Sequence, residues 1–594
     1  MNNITYSKLR AFTISLLFLF CFIFDGNAQT VTMPNIFGSN MVLQQNTQVP
    51  LWGWATAGTS VLVTASWGQP VTVITGTNGK WMTKIQTPIA VPGQAPVYTL
   101  SIKGPMNTIT FTNILVGEVW LCSGQSNMWF PLNMGDYKVV DYANEVAAAK
   151  YPNIRLFIVP QSDAVAPAVN CGGSWASCTP TTATPFSAIG YFFGRELYNN
   201  KALNVPIGMI SNAYPGSGIQ AWVKDSVLQA NADLKSKYID LNANTIVYKK
   251  PSLLYNAMIA PLIPFAMKGI LWYQGESNTS DDGPTYTKAN LEMVKDWRAS
   301  WGHNLSFYAV QIAPHFYTNP STTDLGTMQG FFRVAQSDIM SDPEMGIVST
   351  SDLLINPDER YNIHPTDKKA VGVRLSMWAL ARDYAQPIQY LGPVFQSYTV
   401  EGNKIRIAFK PESLGSGLTT KDGLRPTNFR IAGADQKFYP ALSTIEGNTV
   451  VLTSSLVISP IAIRYAFSDG AITNLMNQEG IPALQFKTDS WPLWPYKAFI
   501  DSPDPNTITV VEKNNSEMTK IFPNPFSNCI NISGFNQNIH HVDLFDILGR
   551  KIKTQMGAES MEMTLDVSDL AKGVYMLRIM RNDMTSIDIK TVKQ

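Results

Sequence analysis

From residue 116 to about 385, short apolar runs alternate with longer amphipathic stretches, and this alternation constrains the fold more than any other feature. Runs over 116–121, 154–159, 207–211, 269–273, 306–312 and 346–349 have the length and continuity of strands buried on both faces. Between them, 192–199, 285–300 and 367–384 have the helical period. Strands separated by helices predict a parallel sheet covered on both faces, with ligands at the carboxyl ends of the strands. The flanks differ. Over 31–115 and 387–494 the pattern is short alternating runs with turn signals such as Asn78-Gly79, predicting a β-sandwich before the α/β region and a second β module after it.

At 594 residues the chain is too long for one core and predicts three to five domains. The expected division is an export signal over 1–28, a β-sandwich over 29–115, an α/β domain over 116–385, a β module over 386–500, a linker over 501–516 and a β-patterned tail over 517–594. Lys8 and Arg10, the apolar run from Ala11 to Phe24 and the small residues up to Ala28 form the signal, with cleavage predicted after Ala28. That run is too short to favour an anchor, so no membrane-spanning segment is expected. Lys and Arg total 45 against 44 Asp and Glu, with no basic patch, which argues against nucleic acid as a partner. The 14 Trp suit a sugar-facing surface, although sandwich cores have the same composition.

After removal of Cys21 with the signal, Cys122, Cys171, Cys178 and Cys529 remain. Cys171 and Cys178 bracket a Gly-Gly-Ser-Trp-Ala-Ser loop and could close a small disulfide ring, whereas Cys122 reads as a buried thiol. No Cys/His spacing suggests zinc, and no cofactor is expected.

Four polar segments follow predicted strands. Gly124-Gln125-Ser126-Asn127 presents the Ser126 hydroxyl on a tight turn, with Asn127 and the Ser126 amide facing a developing oxyanion. Trp272-Tyr273-Gln274-Gly275-Glu276-Ser277-Asn278 offers a side-chain amide and backbone N–H groups, and Pro215-Gly216-Ser217-Gly218 an unobstructed backbone amide. Asn362-Ile363-His364-Pro365 places an imidazole on a loop before the last helix of the region, which Thr366 or Asp367 can cap. His315, also after a strand, is the reserve base. Such a set suits acyl transfer: a serine attacks, histidine takes its proton, and N–H groups bind the oxyanion.

These motifs, with Val371-Gly372-Val373-Arg374-Leu375, Asn40-Met41-Val42-Leu43-Gln44 and Trp52-Gly53-Trp54, resemble the sialate O-acetylesterase family of SGNH (GDSL-like) hydrolases, from about residue 34 to 494. The resemblance implies an SGNH-type three-layer core. It implies Ser126 as nucleophile, His364 as general base, and the amides of Ser126 and Gly216 with the side chain of Gln274 as the oxyanion hole. Asn278 is the alternative donor. The implied activity is removal of O-acetyl groups from sialic acid. Acetylxylan or another plant polysaccharide is the alternative substrate, and a non-catalytic sugar-binding protein the second alternative. A lipase-type hydrolase is disfavoured because Met128 occupies the last position of Gly-x-Ser-x-Gly. Family members often carry Asp two residues before the histidine, where this chain has Asn362. The acid is then expected from Asp352, Asp358 or Glu276, or a backbone carbonyl orients the ring. Asp352, ending the strand before the histidine loop, is the first choice. An imidazole base predicts activity falling between pH 6 and 7. In the tail, Phe522-Pro523-Asn524-Pro525, Leu544–Arg550 and Leu570–Tyr575 resemble a type IX secretion sorting domain, implying the secretion machinery as a partner and a secreted or cell-surface location.

Overall fold

The computed structural model describes residues 30–491 and 520–593, apart from 136, 241–245, 317–327, 355–356, 523–527, 534–538, 547–549, 558–562 and 582–585. The predicted export signal and the linker over 501–516 lie outside the described residues, as does the side chain of Asp358.

The chain is built on one strand, β1 (Thr108–Gly124), of 17 residues. Its first half alternates exposed and half-buried positions and pairs antiparallel with Tyr98–Lys103 in the leading sandwich. Its second half is buried throughout and lies at the centre of the α/β sheet. The other strands of that sheet are β2 (Tyr151–Ile158), β3 (Trp175–Cys178), β4 (Ile207–Ala213), β5 (Gly269–Tyr273), β6 (Ser306–Val310) and β7 (Met345–Val348). They run in the order β3-β2-β4-β1-β5-β6-β7. All pairings are parallel except that of edge strand β3 with β2.

Burial on both faces explains why these strands read as unbroken apolar runs. In β5, Ile270 and Trp272 enter one core while Leu271 and Tyr273 enter the other. Trp272 meets Trp222 and Trp297 edge-on, with ring centroids 6.0 Å from each, contacts worth about 0.5–1.5 kcal/mol apiece beyond area burial. The opposite face carries Trp120 against Phe193 of α2 (Ala188–Asn199) and Tyr308 of β6. The helices used below are α1 (Ser126–Trp129), α3 (Gly283–Trp301), α4 (Met328–Ser337) and α5 (Lys368–Arg382).

Residues 395–487 form the trailing β module around Ile407, Phe429, Tyr465 and Phe486. Arg333 of α4, fully buried, is tied to that module through Gln485 Oε1, Ser468 O and Asp469 O. The tail forms a three-stranded and a four-stranded sheet around its own core, including Ile530, Leu544 and Leu577. Among the described residues no helix is long and apolar enough to cross a membrane.

Two expectations are corrected. The Cys171–Cys178 ring does not form: both thiols are free and buried, and the segment before Cys178 is edge strand β3 rather than loop. Helix α4 and strand β3 were not predicted; α4 follows directly on 317–327, and β3 is too short to signal itself. Cys122 is a buried free thiol, its pKa raised by burial.

Candidate active site

Gly124 ends β1 between the last residues of its neighbours, pairing with Ala213 and Tyr273. Its φ is +135°, and a Cβ there would lie 2.1 Å from Tyr273 O, so the turn requires glycine. One residue on, Gln125 N still donates to Tyr273 O at 2.9 Å, after which Met128 N and Trp129 N turn back to Gln125 O and begin α1. The sequence-predicted nucleophile is therefore the first residue of a helix, at the carboxyl end of the central strand, half-buried. First-turn N–H groups have no partner inside a helix, which leaves the Ser126 amide to face an anion. Ser126 Oγ makes no hydrogen bond among the described residues, to His364 or to any other group.

Gly216, at φ +74°, lies against the Tyr248 ring, which a Cβ would meet at 2.9 Å. Its carbonyl accepts from Ser277 Oγ at 2.9 Å, so the loops after β4 and β5 are joined beside α1. The ring of Tyr248 is 5.3 Å from that of Tyr214, making an aromatic wall next to this amide.

His364 is half-buried, with its ring 6.1 Å from that of Phe130. Burial first, then the charges of Lys368 and His315, push its pKa down to about 4. Asn362 Oδ1 accepts from the backbone N of His364 at 3.0 Å, so this amide shapes the loop rather than binding the ring. Asp367 caps α5 by accepting from Ala370 N, as one of the two predicted caps. His315 is buried, and its Nδ1–H donates to Arg360 O, 3.1 Å away. His303 lies at the amino ends of the strands, beside Met267 and Trp301, where it lines a cleft of about 830 Å³ with Glu118, Lys268 and Tyr384.

Several predicted roles do not fit the geometry. Gln274 is fully buried, and its Nε2 is within bonding distance of Asn278 Oδ1, Ser217 O and Gln125 Oε1, at 2.7, 3.1 and 3.2 Å. Its Oε1 accepts from Tyr286 OH. Asn278 Nδ2 donates to Asp281 Oδ2 and Gln220 Oε1. The two hydrogens on each nitrogen are thereby occupied, so in this structure neither side chain has a free N–H to offer an oxyanion. Both brace the loops that carry Ser126 and Gly216. Asp352 is likewise engaged: its two oxygens take Arg374 Nη1 and Nη2 at 2.8 and 2.6 Å, a bidentate pair buried under the trailing module. Among the described residues no carboxylate is bonded to the His364 ring.

Asn127, expected to face the oxyanion, points inward instead and is fully buried. Its Nδ2 donates to Glu276 Oε1 at 2.5 Å and to Ile363 O at 3.0 Å, and its Oδ1 accepts from Lys368 Nζ at 2.5 Å. The nucleophile turn, the loop after β5 and the histidine loop thus meet on one amide. Burial raises the pKa of Glu276. Lys368 was missed by sequence reasoning; the available signal was a lysine in the first turn of a helix, in register with Val371 and Leu375 of its apolar face. No group of His, Cys, Asp and Glu side chains is arranged to hold a metal among the described residues.

Residues 116–380 match the family described as carbohydrate esterase, sialic acid-specific acetylesterase, and residues 520–594 match a secretion system C-terminal sorting domain. The solved structure of a carbohydrate acetylesterase from Xanthomonas citri is 34% identical, covers 78% of this chain and 100% of its own, and superposes with a TM-score of 0.69. The sialate O-acetylesterase of Homo sapiens is 29% identical over 384 residues, 60% of this chain and 72% of its own. That of Rattus norvegicus is 27% identical over 496 residues, 72% of this chain and 88% of its own.

Proposed function

The chain belongs to the carbohydrate acetylesterase family that takes in the sialate O-acetylesterases, and from that premise we propose that Ser126 and His364 hydrolyse O-acetyl esters on a sugar. The observation that carries this reading is the Asn127 bridge to Ile363 O, which joins the turn bearing Ser126 to the loop bearing His364 across more than two hundred residues of chain. Ser126 Oγ loses its proton to His364 and attacks the acetyl carbonyl. The backbone N–H groups of Ser126 and Gly216 bind the oxyanion, the sugar alcohol leaves with the proton from His364, and water then releases acetate by the same route. With Asp352 held by Arg374 and no carboxylate bonded to the His364 ring among the described residues, our reading is a Ser-His pair, with Asp358, whose side chain lies outside the described residues, as the remaining candidate acid. Hydroxyl–imidazole contacts of this kind are often long in the free enzyme and tighten in the substrate complex. The substrate is an O-acetylated sialic acid. An acetylated plant polysaccharide is the second reading, favoured by a 34%-identical relative whose description names only carbohydrate.

The sorting domain directs the enzyme to the cell surface or the medium. We place the removable signal at 1–28 and the connection to the sorting domain at 501–516.

A fluorophosphonate ester tests the nucleophile: peptide mapping is expected to find one phosphonylated residue, Ser126, and modification of another serine instead would overturn the assignment. Acetate release from 9-O-acetyl sialic acid compared with acetylated xylan decides the substrate. The pH profile follows from His364. Its pKa is lowered to about 4, so the ring stays neutral and able to accept a proton down to that value, and only below it is the base lost to protonation. The acid limb of kcat/KM is expected where pH drops through about 4 rather than between pH 6 and 7, which revises the limb expected for an ordinary imidazole. A fall between pH 6 and 7 would mean that His364 is unperturbed or is not the base.

A further inference from the structure

Lys368 is 1% exposed and is the first residue of α5. Both circumstances disfavour an ammonium: burial strips its water, and a helix amino terminus repels positive charge. Its Nζ lies 4.8 Å above the Phe130 ring and 5.8 Å from that of Tyr273, and its direct hydrogen bond is to Asn127 Oδ1. An ammonium only donates, so it fixes which end of the Asn127 amide faces it. The NH2 end must then face Glu276 and Ile363 O, the two groups that anchor the loop after β5 and the histidine loop. An asparagine without that cation could turn over and lose both.

We propose that Lys368 is a positioning residue for the hydrolysis: through Asn127 it sets the orientation of Ser126 relative to His364, whose ring has no carboxylate bonded to it among the described residues. This rests on the Ser126–His364 reading above. The same charge faces His364 from behind Phe130 and opposes an imidazolium there. Among the described residues, the other ionisable groups around it are Glu276 and Tyr273 at the end of β5, Glu359 and Arg360 in the turn Pro357–Tyr361, Asp367 in its own helix cap, and His315. Burial lowers the Lys368 pKa to about 7, against the opposing pull of Glu276, Glu359 and Asp367. At the pH where His364 titrates, Lys368 is therefore charged.

The test compares Lys368→Met, Lys368→Gln and Lys368→Arg with Ser126→Ala, in the full chain, on 4-nitrophenyl acetate from pH 3.5 to 9. Lys368→Met is expected to lower kcat by about a hundredfold with little change in KM, the cost of a misplacement of about 1 Å. Its acid limb is expected to move up by about one pH unit, because a repelling charge has gone. Lys368→Gln keeps a donor for Asn127 and lacks the charge, so it should lose less kcat and show the same shift. Lys368→Arg, retaining the charge, should restore the limb. A limb that stays in place in Met and Gln, or activity that falls only in step with loss of folded protein, would overturn the proposal. If Lys368→Met does not fold, the limb of Lys368→Gln decides alone. Activity surviving in Ser126→Ala would remove the underlying reading instead, whereas an inactive Ser126→Ala beside wild-type Lys368 variants would remove only this inference.

Discussion

Ser126→Ala is expected to lower kcat for 4-nitrophenyl acetate by about ten-thousandfold or more, leaving only what the backbone amides and substrate binding supply. The size follows from what is deleted. Alanine leaves both oxyanion amides and His364 in place, but no atom remains to form the acyl-enzyme. The fold should be indifferent, because Ser126 is half-buried and its Oγ makes no hydrogen bond among the described residues that the change would break. A stability change within about 0.5 kcal/mol is expected, as for other substitutions away from buried partners. Steady-state kinetics and calorimetry on the same preparation check both halves. Activity within tenfold of the parent enzyme would show that the ester is cleaved elsewhere.

Asp352→Asn should do the reverse. The neutral amide leaves the Arg374 guanidinium buried without its counter-charge, and breaking a buried pair in this way costs about 3–5 kcal/mol. Lys421 Nζ also donates to the Asp352 carbonyl, and Arg374 Nη1 to Ser349 O, so the pair fastens the end of β7 to α5 and to the trailing module. Calorimetry is expected to show a lower transition temperature, while kcat per folded molecule stays within about threefold, since no ring nitrogen loses a partner. A large fall in kcat at unchanged stability would restore Asp352 as the acid that orients His364.

The parts of this site that were legible in the sequence are those set locally. Gly124 before a serine, a polar turn directly after an apolar run, and Asp367 three residues before Ala370 each declare their geometry within a few positions. The parts that were not legible depend on partners far along the chain. Gln274 reads as a donor aimed at substrate until Gln125, Ser217 and Asn278, from three loops, are seen to surround it. Asn127 beside the nucleophile reads as part of the oxyanion hole until Glu276 and Lys368 claim both ends of its amide. Asp352 was within reach: Arg374 lies between Val371, Leu375 and Trp378 on the buried side of α5, and an arginine on an apolar face demands an anion. Edge strand β3 escaped notice because four residues carry too little periodicity, and Cys178 at its end, paired on paper with Cys171, drew attention to a bond the fold does not make.

Strand β1 crosses the expected boundary at residue 115/116 without a break, hydrogen-bonded to the leading sandwich along one stretch and to the α/β sheet along the next. The sandwich is therefore no detachable ornament. A truncation at that boundary would saw through the rail on which Ser126 is mounted, and a minimal esterase must begin upstream of Thr108. Loosening at the far end of that rail, by heat or by a poorly chosen fusion joint, would be felt at the hydroxyl.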